Sequence, residues 1–442
     1  MGCRIAVFGT GYLGATHAAC MAELGHDVLG VDVDTAKLAR LAAGEAPFFE
    51  PGLDEVLKAN LDAGRLQFTS SYAKAADFAD IHFIAVATPQ KRGEFAADLT
   101  YVDSVVTTLA PLLKRPAVIY GKSTVPVGTA ARLSDMVRHI APVGDAIEVA
   151  WNPEFLREGF AVLDTLHPDR IVLGVDFERK GRAEEVAREV YGDIIEQGVP
   201  FLVTDLETSE LVKTAANAFL ATKISFINAM AELCEAAGGD VSELADAIGY
   251  DARIGRPFLN AGIGFGGGCL PKDIRAFMAR AGELGANQAL TFLREVDSIN
   301  MRRRIRMVEM TRELVGGSLI GARVAVLGAA FKPESDDIRD SPALNIAGQI
   351  QLQGASVTVY DPRAMDNSRR LFPTLDYAED VREACNGADV TLVLTEWEEF
   401  RRLEPAALDS IVRSRRIIDG RNCLDPAKWR SSGWVYQGVG RR

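Results

Sequence analysis

Three stretches of this chain hold residues that could do chemistry. The sharpest is Gly264-Phe265-Gly266-Gly267-Gly268-Cys269-Leu270-Pro271-Lys272-Asp273. Glycines let a substrate lie close against backbone. A thiol beside a cation is more readily the thiolate nucleophile. A reduced cysteine is as often a small buried apolar group, so spacing alone leaves Cys269 open between the two. In the second stretch Glu207, Glu210, Lys213, Asn217, Ala221 and Ile224 recur at helical spacing. Lys213 and Asn217 share a face and could donate to one developing oxyanion; an exposed lysine and a packing asparagine would look the same. The third is Asn152-Pro153-Glu154-Phe155-Leu156-Arg157-Glu158-Gly159. Pro153 and Gly159 mark a loop, and its carboxylates are either a general base or ordinary solvated charge.

A fourth motif points to a cofactor. Gly9-Thr10-Gly11-Tyr12-Leu13-Gly14 fits G-x-G-x-x-G, follows a strand pattern at Arg4–Phe8 and opens a helix pattern running to Leu24. The first glycine allows the tight turn, the second lets backbone approach a pyrophosphate, and the third allows close helix packing. The helix N-terminus then offers its N–H groups to the phosphates. Asp32, 21 positions after Gly11, ends the next strand pattern. That is the place for a carboxylate on the ribose diol. It would repel a 2′-phosphate, so NAD is expected rather than NADP.

These motifs need elements to position them. Apolar runs at Val28–Val31, Ile81–Ala87, Ala117–Tyr120 and Ile171–Val175 alternate with helical stretches, which implies a parallel sheet covered on both faces. From Asp205 to Arg312 the pattern is mostly helical, broken at Gly262–Gly268. Strands then return. Arg323–Gly328 echoes Arg4–Gly9, and Val357–Asp361 echoes Val28–Asp32, while Thr391–Leu394 and Ile417–Asp419 look like further strands. The expected class is α/β: two doubly wound, Rossmann-like domains joined by a central helical dimerisation region. The expected bounds are 1–204, 205–312 and 313–442. The second α/β domain lacks the glycine loop and has Gly328-Ala329-Ala330-Phe331-Lys332 instead.

Size and composition agree. A chain of 442 residues suggests two or three domains. A net charge of −12 argues against a general nucleic-acid binder. Six scattered cysteines without metal-ligand spacing read as reduced cytosolic thiols, and five histidines form no metal site. No signal-peptide pattern and no transmembrane run is seen, so a cytoplasmic location without membrane contact is expected.

Together the residues resemble the UDP-glucose/GDP-mannose dehydrogenase family, from Arg4 to about Arg421. The motifs that carry this are Gly9–Gly14, Ser123-Thr124-Val125-Pro126-Val127-Gly128-Thr129, the Glu154 loop, the Lys213/Asn217 helix, the Cys269 loop and Phe331-Lys332. The Glu154 loop looks like that of the UDP-glucose 6-dehydrogenase branch, with GDP-mannose dehydrogenases next. The resemblance implies a four-electron oxidation of a sugar C6 alcohol to a carboxylate, with Cys269 as nucleophile. Lys213 and Asn217 would stabilise oxyanions, and Glu154 and Asp273 would handle protons and water, with Thr124 helping to place that water. Around NAD it implies Lys37, Thr88, Thr124, Glu158 and Arg339. For the sugar nucleotide it implies Glu154, Phe155, Leu156, Arg157, Arg253, the Asn260–Gly266 loop with Gly264 and Phe265, Lys332 and Arg421. It also implies a homodimer through the long central helix, with Arg253 reaching the neighbouring subunit. Gly268 departs from the serine the family often has there. Two other readings compete: a single-step β-hydroxyacid dehydrogenase that needs no cysteine, and an NAD-binding regulator without turnover.

Overall fold

The computed structural model describes residues 2–179 and 181–441. The chain forms two compact units. The first runs to Ala216 and takes in Arg275–Gly285; the second holds Asn217–Ile274 and the residues from Ala286 onward.

The first unit is built on strands β1 (Arg4–Phe8), β2 (Asp27–Val31), β3 (Leu66–Thr69), β4 (Ile81–Ile84), β5 (Ala117–Gly121), β6 (Ile147–Trp151), β7 (Ile171–Val175) and β8 (Phe201–Asp205). Their order in the sheet is β3-β2-β1-β4-β5-β6-β7-β8. Both faces are covered: Ile5 and Val7 of β1 join one apolar cluster, Ala6 and Phe8 the other. A strand buried on both faces is near-continuously apolar; β1 departs from this only at the exposed Arg4 and β4 only at the buried His82.

One pairing departs from the expected parallel sheet, because β7 runs antiparallel to β6. The connection between them, residues 152–170, contains the six-residue helix Ala161–Leu166, and β7 runs back down the sheet.

The helices used below are α1 (Tyr12–Glu23), α2 (Thr129–Ile140), α3 (Ala161–Leu166), α4 (Leu206–Ala237), α5 (Leu270–Glu283) and α6 (Phe292–Leu314). In α1, Ala15, Ala18, Ala19 and Ala22 are buried, and these small residues let the helix lie close on the sheet. The 32 residues of α4 extend for about 48 Å.

The second unit holds β9 (Arg323–Leu327), β10 (Ser356–Tyr360), β11 (Asp376–Tyr377), β12 (Val390–Val393), β13 (Arg416–Asp419) and β14 (Val435–Gly438), in the order β11-β10-β9-β12-β13-β14. All of its pairs are parallel. The sequence echo is a structural one. Gly9 donates its N–H to Val31 at 2.8 Å, and Gly328 donates to Tyr360 at 2.7 Å. Both glycines have positive φ, 89° and 110°, where a side chain would be strained. Ile227 and Ala231 of α4 and Met307 and Val308 of α6 share one apolar cluster with β9.

Candidate active site

In the first unit the strand order reverses between β1 and β4, the crevice where doubly wound sheets bind ligands. The glycine loop opens there. A Cβ on Gly14 would lie 1.7 Å from the Gly9 carbonyl oxygen, so only glycine fits, whereas a Cβ on Gly11 would meet nothing within 4 Å. Helix α1 begins at Tyr12 and Leu13 with no side-chain cap at Gly11. Asp32 Oδ2 accepts from the Thr10 N–H (2.8 Å), the Thr10 hydroxyl (2.9 Å) and Lys37 Nζ (2.9 Å), and Oδ1 accepts from the Asp34 N–H at 3.0 Å. Burial acts to raise its proton affinity, but these donors outweigh burial and hold the carboxyl below its ordinary range. The Thr88 hydroxyl donates to the Thr124 carbonyl at 2.7 Å, tying the loops after β4 and β5.

The Asn152–Gly159 loop follows β6. Glu154 Oε1 lies 3.1 Å from Lys213 Nζ, with side chains only 12 % and 6 % exposed. Its other oxygen accepts the Leu156 N–H at 2.8 Å. The Lys213 ammonium is 5.5 Å from the centre of the Phe155 ring. Glu158 is buried. Arg157 turns outward to pair with Asp164 at 2.7 Å. Glu50 fastens the end of the loop. It accepts the Gly159 N–H at 2.7 Å, the Ala161 N–H at 2.7 Å and the Tyr12 hydroxyl. One buried carboxylate thus joins the glycine loop to the Glu154 loop.

In the second unit the glycine-rich loop before Cys269 is clamped on several sides. Asn228 accepts the Gly262 N–H at 2.8 Å. Asn300 accepts the Phe265 N–H at 2.7 Å and donates to the Phe265 carbonyl at 3.0 Å. Arg304, nearly fully buried, reaches Asp340 at 2.8 Å and the Phe265 carbonyl at 3.3 Å. A side chain has no room at Gly264 or Gly266, where a Cβ would lie 2.4 Å from Asn300 and 2.3 Å from the Asp340 carbonyl. At Gly268 a Cβ would meet the guanidinium of the exposed Arg339, the end of a flexible side chain that can move aside.

Cys269 is the N-cap of α5, since the Asp273 N–H donates to its carbonyl at 3.0 Å. A helix N-terminus favours negative charge. Of the six cysteines only Cys269 is exposed. Cys3, Cys20, Cys234 and Cys385 are buried and Cys423 is half-buried, and burial pushes Cys3 up to about 11, Cys20 and Cys385 up to about 12, and Cys423 and Cys234 upward. Asp273, 2 % exposed, accepts from Asn217 Nδ2 at 2.7 Å and from Lys272 Nζ at 2.5 Å. Lys272 is thus paired with a carboxylate.

The remaining expected residues of this unit are spread more widely. Arg421 donates to the Leu394, Gly264 and Phe331 carbonyls at 2.9, 3.2 and 3.2 Å, which makes it a latch on two loops. Lys332 Nζ sits 5.5 Å over the Phe331 ring. Arg339 forks onto Asp337 at 2.7 and 2.9 Å. Asn260 accepts from Arg256 at 2.7 Å. Arg253, with a side chain 88 % exposed, pairs only locally with Asp251.

Chemically the first unit offers a buried lysine–carboxylate pair and an anion-ready helix N-terminus, and the second offers an exposed thiol one helical turn from a buried amide–carboxylate pair. Sequence reasoning did not find Glu50, Asn228, Asn300 or Arg304. Glu50 carried a faint signal, as a charge within the apolar and turn-forming run Phe48-Phe49-Glu50-Pro51-Gly52; the others lie in unremarkable helical sequence.

Residues 3–195 match the NAD binding domain of the UDP-glucose/GDP-mannose dehydrogenase family, residues 207–302 its central domain, and residues 325–426 its UDP binding domain. The chain belongs to this family. It is 42 % identical over 438 residues to a UDP-glucose 6-dehydrogenase of Rhizobium meliloti (strain 1021), covering 99 % of each chain. A solved UDP-glucose dehydrogenase from the archaeon Pyrobaculum islandicum superposes with a TM-score of 0.91 at 37 % identity, covering 100 % of this chain and 98 % of that one. A UDP-D-ManNAc dehydrogenase from Pyrococcus horikoshii superposes with a TM-score of 0.86 at 27 % identity over 99 % of both chains. The protein is therefore an NAD-dependent nucleotide-sugar dehydrogenase, similar to UDP-glucose 6-dehydrogenases. The glycine loop suits the dinucleotide: Gly11 is open, α1 is uncapped and Asp32 stands at the strand end. Among the described residues there is no His, Cys, Asp and Glu cluster able to hold a metal, and no helix long and apolar enough to cross a membrane.

Proposed function

We propose that the protein oxidises UDP-glucose to UDP-glucuronate through a covalent adduct on Cys269. NAD, held by Gly9–Gly14, Asp32, Lys37, Thr88, Thr124, Glu158 and Arg339, supplies the two-electron acceptor for each of two oxidations at C6. The Cys269 thiolate adds to the C6 aldehyde, making a C–S bond and an oxyanion that takes up a proton. This thiohemiacetal loses the C6 hydrogen as hydride and its hydroxyl proton to become a thioester. Water then attacks the thioester carbon, the C–S bond breaks, and the acid leaves with the thiol restored. Lys213 and Asn217, one turn apart on α4, donate to the oxyanions. Glu154 and Asp273 manage protons and the hydrolytic water, which Thr124 helps to place. Phe155, Leu156, Arg157, Asn260, Gly264, Phe265, Gly266, Lys332 and Arg421 bind the sugar nucleotide.

The observation that carries this reading is the setting of Cys269: it is the exposed cysteine, on a helix N-terminus, one turn before the Asn217–Asp273 pair. The relatives named above support UDP-glucose as the sugar nucleotide. The test is the yield of NADH per mole of limiting UDP-glucose, with GDP-mannose in parallel. Two equivalents from UDP-glucose are expected. One equivalent removes the covalent double oxidation, and two equivalents from GDP-mannose alone move the substrate.

The same reading includes a homodimer through α4. Phe219, Phe226 and Leu233 are exposed by 67 %, 49 % and 60 %. They recur every seven residues, the spacing of a helix seam that packs on another helix. Arg253, exposed and only locally paired, would serve the neighbouring subunit.

A further inference from the structure

Lys122 follows β5 and is buried. Its ammonium donates to Asn152 Oδ1 at 2.9 Å and lies 3.4 Å from the Tyr191 hydroxyl. It stands 5.7 and 5.9 Å from the centres of the Phe83 and Tyr191 rings. No carboxylate lies within ion-pair distance of it among the described residues. A buried cation with only neutral partners is costly. Tyr191 donates to the same oxygen at 2.7 Å and the Asn152 amide donates to the Val172 carbonyl at 2.8 Å, so Lys122 is one of three groups that hold this side chain.

Two residues after Asn152 comes Glu154, the partner of Lys213. Glu154 and Lys213 are also the charges that act on Lys122. Burial pulls its ammonium down to about 8, Glu154 opposes that pull and Lys213 adds to it. The other titratable groups facing it are neutral: burial, and then the charge of Lys122, drives the His17 imidazole well below its ordinary range, and burial pushes the Tyr191 phenol up.

We propose that Lys122 is a positioning residue for the reaction, whose buried charge, fixed on Asn152, sets the start of the Glu154 loop and biases the Glu154–Lys213 pair. Its charge attracts the carboxylate and repels the ammonium, so it sets how protons are shared between them. The inference rests on the roles proposed above for Glu154 and Lys213.

The test compares full-length wild type, Lys122→Met, Lys122→Arg and Glu154→Gln, all assayed for kcat and KM with UDP-glucose from about pH 6.5 to about pH 9.5. Wild type is expected to lose kcat on the alkaline side as Lys122 gives up its proton near pH 8. Lys122→Met is expected to fall about tenfold in kcat at neutral pH, with KM little changed and the alkaline limb abolished. Lys122→Arg, which cannot titrate in this range, is expected to recover activity with the limb moved upward. An unchanged kcat in Lys122→Met overturns the proposal. So does an alkaline limb near pH 8 that persists in Lys122→Arg, even if Lys122→Met does not fold. Wild-type turnover in Glu154→Gln would instead remove the reading of the loop itself.

Discussion

The side-chain amide of Asn300 grips Phe265 by both of its backbone groups, at 2.7 and 3.0 Å, in a site with no solvent exposure. This pairing mimics one rung of a β-ladder and fixes the chain four residues before Cys269. Asn300→Leu would leave a buried N–H and a buried carbonyl without that partner, each costing about 1–3 kcal/mol. The expected result is a melting temperature lower by several degrees together with a fall in kcat. A melt like wild type would show that the grip is dispensable.

Cys269 stands at an exposed position, so its replacement should leave folding intact. Cys269→Ser is expected to melt like wild type and to make UDP-glucuronate at least about a thousandfold more slowly. Undiminished NADH formation that stops at one equivalent would favour the single-step lysine-dependent chemistry.

Glu50 uses both oxygens on Gly159 and Ala161, and also holds the Tyr12 hydroxyl. Glutamine has one acceptor oxygen, so Glu50→Gln strands one of these donors at a cost of about 1–3 kcal/mol. Because Tyr12 belongs to the cofactor loop, the KM for NAD should rise as well. Denaturant unfolding and NAD saturation curves read the two effects separately.

Phe226→Glu places a charge in the middle of the exposed apolar stripe of α4. Sedimentation at micromolar protein is expected to shift from dimer to monomer. A dimer of unchanged stability would place the subunit contact elsewhere.

Glu210 supplies a pH dependence. It accepts the Gly128 and Ala130 N–H groups at the start of α2, both at 2.7 Å. Burial nevertheless raises its carboxyl from 4.5 to about 7. The folded chain therefore holds this proton more tightly than the unfolded chain does. Its contribution to stability is complete below the unfolded value and is lost as pH climbs through about 7, a swing of about 3 kcal/mol. Glu210→Gln removes the swing, so the variant should gain on wild type between pH 5 and pH 8 in paired thermal melts.

Local chemistry was legible and long-range clamps were not. Gly9 to Gly14 and Asp32 stand out because a tight turn, a helix start and a strand end each demand particular residues within a few positions. The direction of β7 is not written in its apolar residues, which would be the same either way up. Asn300 meets Phe265 across 35 residues and Glu50 meets Gly159 across 109, so no window of sequence holds both partners. Cys269 was open between nucleophile and filler, because only the fold says which cysteine lies at the surface. Lys122 adjoins a recognised motif, but its burial came from Phe83 and Tyr191, two residues far from it in sequence.

Asp361 closes the matching position of the second sheet. It accepts the Ala329 and Ala330 N–H groups at 2.7 and 3.0 Å, the Trp397 indole at 3.1 Å, and the Arg363 and Ala364 N–H groups at 2.9 Å. Asp32 has the same latch on Thr10, but its remaining side-chain donor is the flexible Lys37. A swinging lysine can give way to a pair of hydroxyls; an indole locked in a wall cannot. The repeated half-fold thus ends its second strand on the same acidic latch twice, one copy leaving its carboxylate able to change partners and the other spending every acceptor on its own chain.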